Sequence, residues 1–260
     1  MLHLPRQSWW SNNGNNEGMV DLHELPNSTR LETIVLSLNN ASLRLPATVV
    51  AFNSLTDLRL EEIRLTAGSE RLFSRLLSSA CCPRLRKLSL LQLQVAGITE
   101  LQLEAGELSE LTLESFQNHF NDRNLTRLEL NTPNLRFLDI NHDILDVLTI
   151  SAPRLEELIS TFVGWSDIMQ INVGDLSCVR RIKDLELNSD RHSLDDAGIN
   201  DYVICLLKRC TSLQCLGVLM SSTYQVVQFY YWKAPELAAK RKQSPSGSGT
   251  ALPCNHGPWP

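Results

Sequence analysis

The chain has no cysteines paired at C-x-x-C spacing. Its seven cysteines, at 81, 82, 178, 205, 210, 215 and 254, are odd in number and irregularly placed. That argues against a disulfide framework or a zinc site, so reduced and mostly buried thiols are expected. Long hydrophobic runs are missing too. The opening stretch MLHLPRQSWWSNNGNNEGMV has no apolar core of signal-peptide length, and no window approaches the ~18 apolar residues of a membrane span. Positive charge is also not in excess: 24 Lys and Arg face 29 Asp and Glu, a net charge of −5. Nothing therefore suggests an electrostatic nucleic-acid binder. Together these absences imply an intracellular, soluble chain, in cytoplasm or nucleus, with neither membrane nor nucleic acid as partner. The sequons at Asn27, Asn40 and Asn124 then read as chance matches.

Catalytic signatures are lacking as well. Histidines 3, 23, 119, 142, 192 and 256 are scattered, and none sits at metal-ligand spacing with a cysteine or another histidine. No G-x-G-x-x-G, P-loop, G-x-S-x-G or H-E-x-x-H is present. Cys205, Cys210 and Cys215 recur at five-residue intervals, but as small packing groups they need no ligand. The expectation is a protein that is not an enzyme and carries no cofactor or metal.

What the chain does contain is a repeat. The pattern L-x-x-L-x-L, with Ile, Val or Ser substituting at some positions, starts at residues 31, 55, 85, 98, 108, 125, 135, 145, 155, 182 and 213. Around residues 131–160 the copies lie ten residues apart, twice as dense as the ~20–29 residues of a leucine-rich-repeat coil. Setting aside the copies at 98, 125 and 145 resolves this. The remaining starts are then separated by 24, 30, 23, 27, 20, 27 and 31 residues. Several of them follow a turn-forming lead, CCP, NTP, SAP or RCT, whereas the three set aside do not. Proline lacks an N–H and is tolerated where a strand begins, so it punctuates the start of each coil. The fold expected is an α/β leucine-rich-repeat solenoid: an irregular, curved parallel sheet in front and short extended return segments behind. Helices are expected on the convex side at 69–79 and 195–209, where apolar residues share one face. The repeats span 22–220, between a polar N-terminal segment 1–21 expected to be disordered and a partly disordered tail 221–260. Within that tail, the aromatic cluster Phe229–Trp232 suits a cap over the open end of the stack.

Alternation along each front strand sends the leucines inward and the intervening residues outward. The outward positions include Asp57, Arg59, Glu61, Lys87, Glu110, Glu114, Phe137, Asp139, Glu157, Asp184 and Glu186. Over the third, fifth and seventh residues of the eight retained copies, 8 of 24 are acidic and only 2 basic, a larger bias than in the whole chain. Eight strands would make a surface about 34 Å across, suited to a polypeptide rather than a small metabolite. A basic segment seated near Glu110–Glu186 is the expected ligand. The same carboxylates would also keep an exposed sheet soluble.

The order of several segments resembles the plant F-box/leucine-rich-repeat family. HELPNSTRLETIVLSLNNASLRLP is followed by FNSLTDLRLEEIRL, CCPRLRKLSL, SAPRLEELIS and LKRCTSLQCLGV. The resemblance covers roughly 22–220 and implies a noncatalytic specificity subunit, whose repeats capture a substrate for a cullin–RING ubiquitin ligase. In that family an N-terminal F-box docks onto the ligase adaptor. Here ELPNSTRLETIVLSL (24–38) looks superficially similar to an F-box opening, but NNASLRLPATVV lacks the helical pattern that should follow. The stretch aligns better with a first repeat strand, so adaptor binding is expected only if the full-length product has an F-box. The alternative is an F-box-less repeat scaffold or competitor that binds a partner without ubiquitylation.

Overall fold

A computed structural model describes residues 2–4, 19–21, 30–45, 51–65, 68–95, 99–115, 126–141, 147–161, 170–188, 206–222 and 225–232. The elements are β1 (Leu2–Leu4), β2 (Met19–Asp21), β3 (Thr33–Arg44), β4 (Asp57–Leu65), α1 (Glu70–Leu76), β5 (Lys87–Leu91), β6 (Gln94–Val95), β7 (Glu100–Glu104) and β8 (Glu110–Glu114). They continue with β9 (Arg127–Asn131), β10 (Phe137–Asn141), β11 (Val147–Ser151), β12 (Glu157–Thr161), β13 (Gln170–Val173), β14 (Arg181–Asn188), β15 (Cys215–Ser222) and β16 (Gln225–Trp232).

From β7 to β14 back and front strands alternate along the chain, and the described strands wind into a solenoid of mostly parallel sheet. The front sheet runs β1-β3-β4-β5-β8-β10-β12-β14-β15-β16, with β2 beside β3 and β6 beside β4. The back sheet runs β13-β11-β9-β7. The copies set aside for density fall on the back: Leu101 and Leu103 in β7, Leu128 and Leu130 in β9, and Leu148 and Ile150 in β11 are all buried. The front contributes Leu58, Leu60, Leu88, Leu90, Leu111, Leu113, Leu138 and Ile140 to the same core. A ten-residue spacing is thus half a turn, because a leucine pair from each sheet must meet inside one winding. Strand β13 has no L-x-x-L-x-L and was not anticipated; its backbone continues the back sheet from β11 in register.

Seven front strands, β4, β5, β8, β10, β12, β14 and β15, begin the same way. The N–H groups of Leu55, Leu85, Leu108, Leu135, Leu155, Val179 and Leu213 donate to the carbonyls of Phe52, Cys82, Ala105, Thr132, Ala152, Leu176 and Cys210. These are i to i+3 turns, and Pro83, Pro133 and Pro153 stand at the second turn position, where their fixed φ is pre-set. The next carbonyl then accepts two N–H groups from the following winding: Arg136 O, for example, takes Glu156 N and Glu157 N, both at 2.9 Å. This ladder recurs from Glu32 to Arg180 although the loops between its rungs differ in length. The turn therefore sets the register, and loop length is absorbed elsewhere.

Several expectations need correction. The described helix is confined to α1 and residues 206–209, so the described residues are mostly parallel sheet with few helices. α1 lies within the expected 69–79 segment and buries Phe73 and Leu76, with Leu77 just beyond it. Of the expected helix 195–209, residues 195–205 lie outside the described residues. Within the N-terminal segment expected to be disordered, β1 and β2 pair in parallel with β3. In the tail, β16 pairs antiparallel with β15 over Cys215–Ser222 and adds the last strand of the front sheet. The other residues of both segments lie outside the described residues. Finally, the winding that contains Ile182 starts at Val179, whose turn hydrogen bond to Leu176 O matches the others at 3.0 Å. Ile182 then stands opposite Leu158 and Leu216, and a register shift follows before Leu185.

Candidate binding face of the front sheet

Parallel pairing aligns the outward residues into rows across the strands. One row reads Thr33, Asp57, Lys87, Glu110, Phe137, Glu157, Arg181 and Cys215. The next reads Val35, Arg59, Ser89, Thr112, Asp139, Ile159 and Lys183. The third reads Ser37, Glu61, Leu91, Glu114, Asn141 and Thr161. Residues one strand apart in a row stand about 4.8 Å apart, so their side chains interact directly.

The start at Val179 changes the electrostatics of this face. It places Arg181 and Lys183 opposite Glu157 and Ile159, where Asp184 and Glu186 were expected to dominate. Asp184 falls in the register shift, and Glu186 keeps its row only on the β15 side, opposite Leu219. Glu157, exposed by only 16%, holds Lys183 Nζ at 2.6 Å and Arg181 Nη1 at 3.2 Å. Lys87 Nζ bonds Glu110 at 2.8 Å, and Arg59 Nη2 bonds Glu61 at 3.2 Å. Hydrogen bonding from Lys87 to Glu110, then the charges of Glu110 and Asp57, raise the Lys87 pKa, which keeps it cationic. Part of the acidic strip is thus engaged in ion pairs, along β4 at Arg59–Glu61 and across strands at Lys87–Glu110 and at Glu157 with Arg181 and Lys183. Exposed pairs of this kind contribute on the order of 0.2–1 kcal/mol each, but they orient their side chains. The missed signal lay in the sequence: VRRIKDL spaces Val179, Ile182 and Leu185 by threes, so the leucine frame slips at Asp184.

Between the two charged ends lies a mixed centre. Phe137 is half-buried between Glu110 and Glu157, with Thr112, Asp139 and Ile159 in the adjacent row and Glu114 and Asn141 beyond. Its backbone groups are saturated by the ladder, so a ligand would be recognised through side chains alone. Burial pushes Cys82 up to about 12 and Cys210 up to about 11, and desolvation likewise raises Cys81 against the opposing pull of Arg75 and Ser78. These thiols stay protonated and act as packing groups. Among the described residues no cluster of three His, Cys, Asp or Glu side chains has metal-site geometry, and no helix is long and apolar enough to cross a membrane. Comparison of the chain with protein-family models, curated proteins and solved structures finds no match.

Proposed function

We propose that the chain is a leucine-rich-repeat type polypeptide-binding module, and that it serves as a substrate-recognition part of an F-box-type cullin–RING ubiquitin ligase. The observation that carries the binding reading is the open front face: rows of outward side chains running over six to eight parallel strands, with Phe137 and Ile159 set among ordered charges. A half-buried aromatic ringed by polar groups is the kind of anchor on which polypeptide interfaces concentrate their energy. The ligase assignment rests on the resemblance of the repeat segments alone. The bound segment is basic: it crosses β8 and β10 and places Lys or Arg against Glu114, while Asp139, Glu110 and Glu157 stay engaged within the chain and add negative potential beside it.

Selecting a random peptide library on the full chain tests the binding reading. Enriched peptides should be rich in Lys and Arg, and the double variant Glu114→Lys, Asp139→Lys should lose them at least tenfold. Glu129→Lys, on the back sheet, should retain them. Enrichment indifferent to the front-face variant would refute this function. Co-purification of the full-length product with the ligase adaptor tests the assignment to the ligase. A product that binds peptides yet leaves the adaptor behind is a free-standing scaffold or competitor.

A further inference from the structure

Away from the front face, the turns that precede β10, β12, β14 and β15 form a cleft of about 400 Å³. Arg136, Arg154 and Arg180 line it, together with Glu156, Ser177, Ser212 and the exposed Cys178. Three guanidiniums against one carboxylate leave the cleft with a net positive charge of about two. That carboxylate compensates little: Arg136 Nε stands 3.9 Å from Glu156, and both side chains are mostly exposed. Arg154 Nη1 donates at 2.8 Å to Asn134 Oδ1, a neutral amide whose Nδ2 donates in turn to Gly106 O. This chain of hydrogen bonds aims the guanidinium without neutralising it. Arg180 forms no ion pair with any described carboxylate. The nearby Asp175 turns a carboxylate oxygen back onto Ser177 N at 2.8 Å, and that bond holds its pKa low.

The repeat itself builds the cluster. Arg136, Glu156 and Arg180 occupy the same position in successive windings, just before the first strand residue, and each carries a rung of the carbonyl ladder. Their Cα atoms are therefore stacked at strand spacing, about 4.8 Å per step. Arg136 and Arg180 thus stand two steps, about 10 Å, apart with Glu156 between them, and Arg154 comes from the intervening turn. Guanidinium forks converging on one cleft suit an oxyanion that carries more than one negative charge. The volume exceeds a bare phosphate and leaves room for the group that bears it.

We propose that this turn-edge cleft binds a phosphate group. The phosphate arrives either on a phosphorylated side chain or as the free anion. Titrating the full chain with a short phosphoserine peptide, its unphosphorylated twin and inorganic phosphate separates the two sources. Tighter binding of the phosphopeptide than of phosphate indicates a protein ligand, and equal binding indicates the free anion. In either case Arg180→Gln should weaken binding about tenfold or more, whereas Arg127→Gln on the back sheet should not. Glu156→Gln should tighten binding severalfold, because it removes the single lining carboxylate; a merely structural role predicts no gain. Ligand at saturation should also slow alkylation of Cys178, read by peptide mapping. Binding that ignores both Arg180→Gln and Glu156→Gln, or no phosphate-dependent binding by a chain whose circular dichroism matches the wild type, would overturn the proposal.

Discussion

Thr132 and the cysteines show how burial constrains individual side chains. Thr132 is fully buried at a turn position that Ala105 and Ala152 fill in neighbouring windings, and its Oγ1 has no hydrogen-bond partner among the described residues. An unsatisfied buried hydroxyl costs roughly 1–3 kcal/mol, so Thr132→Val should raise stability by about 1 kcal/mol in a denaturant titration. A fall in the midpoint would show that the hydroxyl is satisfied after all. The cysteines provide a chemical readout. Iodoacetamide at pH 8 reacts with thiolate, and Cys82 and Cys210 are held protonated by burial, with pKa values of about 12 and 11. Cys178 is exposed and should be alkylated well before either of them, as measured by mass spectrometry. Equal rates at all three would mean that the turn-side core opens readily.

At the scale of the element, each front strand must stop and the chain must bend toward the back. Gln92 and Ser115 each follow the last residue of a front strand and adopt φ of 51° and 47°, whereas Glu62, at 51°, bends β4 within its length. This left-handed conformation turns the backbone at the corner, where Gln92 N reaches Glu114 O and Ser115 N reaches Asn141 O. A side chain branched at Cβ fits that conformation poorly. Gln92→Val should therefore cost about 1–2 kcal/mol, whereas Gln92→Asn should be neutral or slightly stabilising. Comparable melting curves for the two variants would argue against a strained corner. The cross-strand charges belong to the same scale. Glu157→Gln removes the shared partner of Arg181 and Lys183 and should cost no more than about 1–2 kcal/mol, since both cations can return to water.

At the scale of the molecule, the windings stack so that each contacts only its neighbours, and stability becomes a sum of local and interface terms. Leu138 is completely buried in a central winding, and Leu138→Ala should cost about 2–5 kcal/mol. The repeat also predicts how the chain tolerates deletion. Leu135 and Leu155 occupy equivalent positions, so removing residues 135–154 takes out one whole winding, with β10 and β11, and joins like to like. That shortened chain should remain folded, with β-rich circular dichroism and a single elution peak. Removing only 135–144 would put a back segment where a front strand belongs and should abolish folding. Two equally folded deletions would mean that front and back positions are interchangeable.

The leucine pattern alone determined that parallel strands would wind about one core, and that the dense copies at 98, 125 and 145 would lie behind the others. Those features follow from side-chain alternation and from the need to bury apolar pairs, both of which are local. The turn leads CCP, NTP and SAP were equally legible, because proline restricts its own φ wherever it occurs. The chemistry of the surface was not legible to the same degree. Whether Asp184 or Lys183 faces Glu157 depends on a one-residue choice of frame, and in a period-two strand such a slip exchanges every side chain between faces. The hydrogen-bond ladder from Glu156 O to Arg180 and Arg181 made that choice. It placed paired charges in an expected acidic groove and gathered three arginines, far apart in sequence, at one edge. Such groups meet only when the windings are stacked, and no local pattern specifies which loops place them one strand apart.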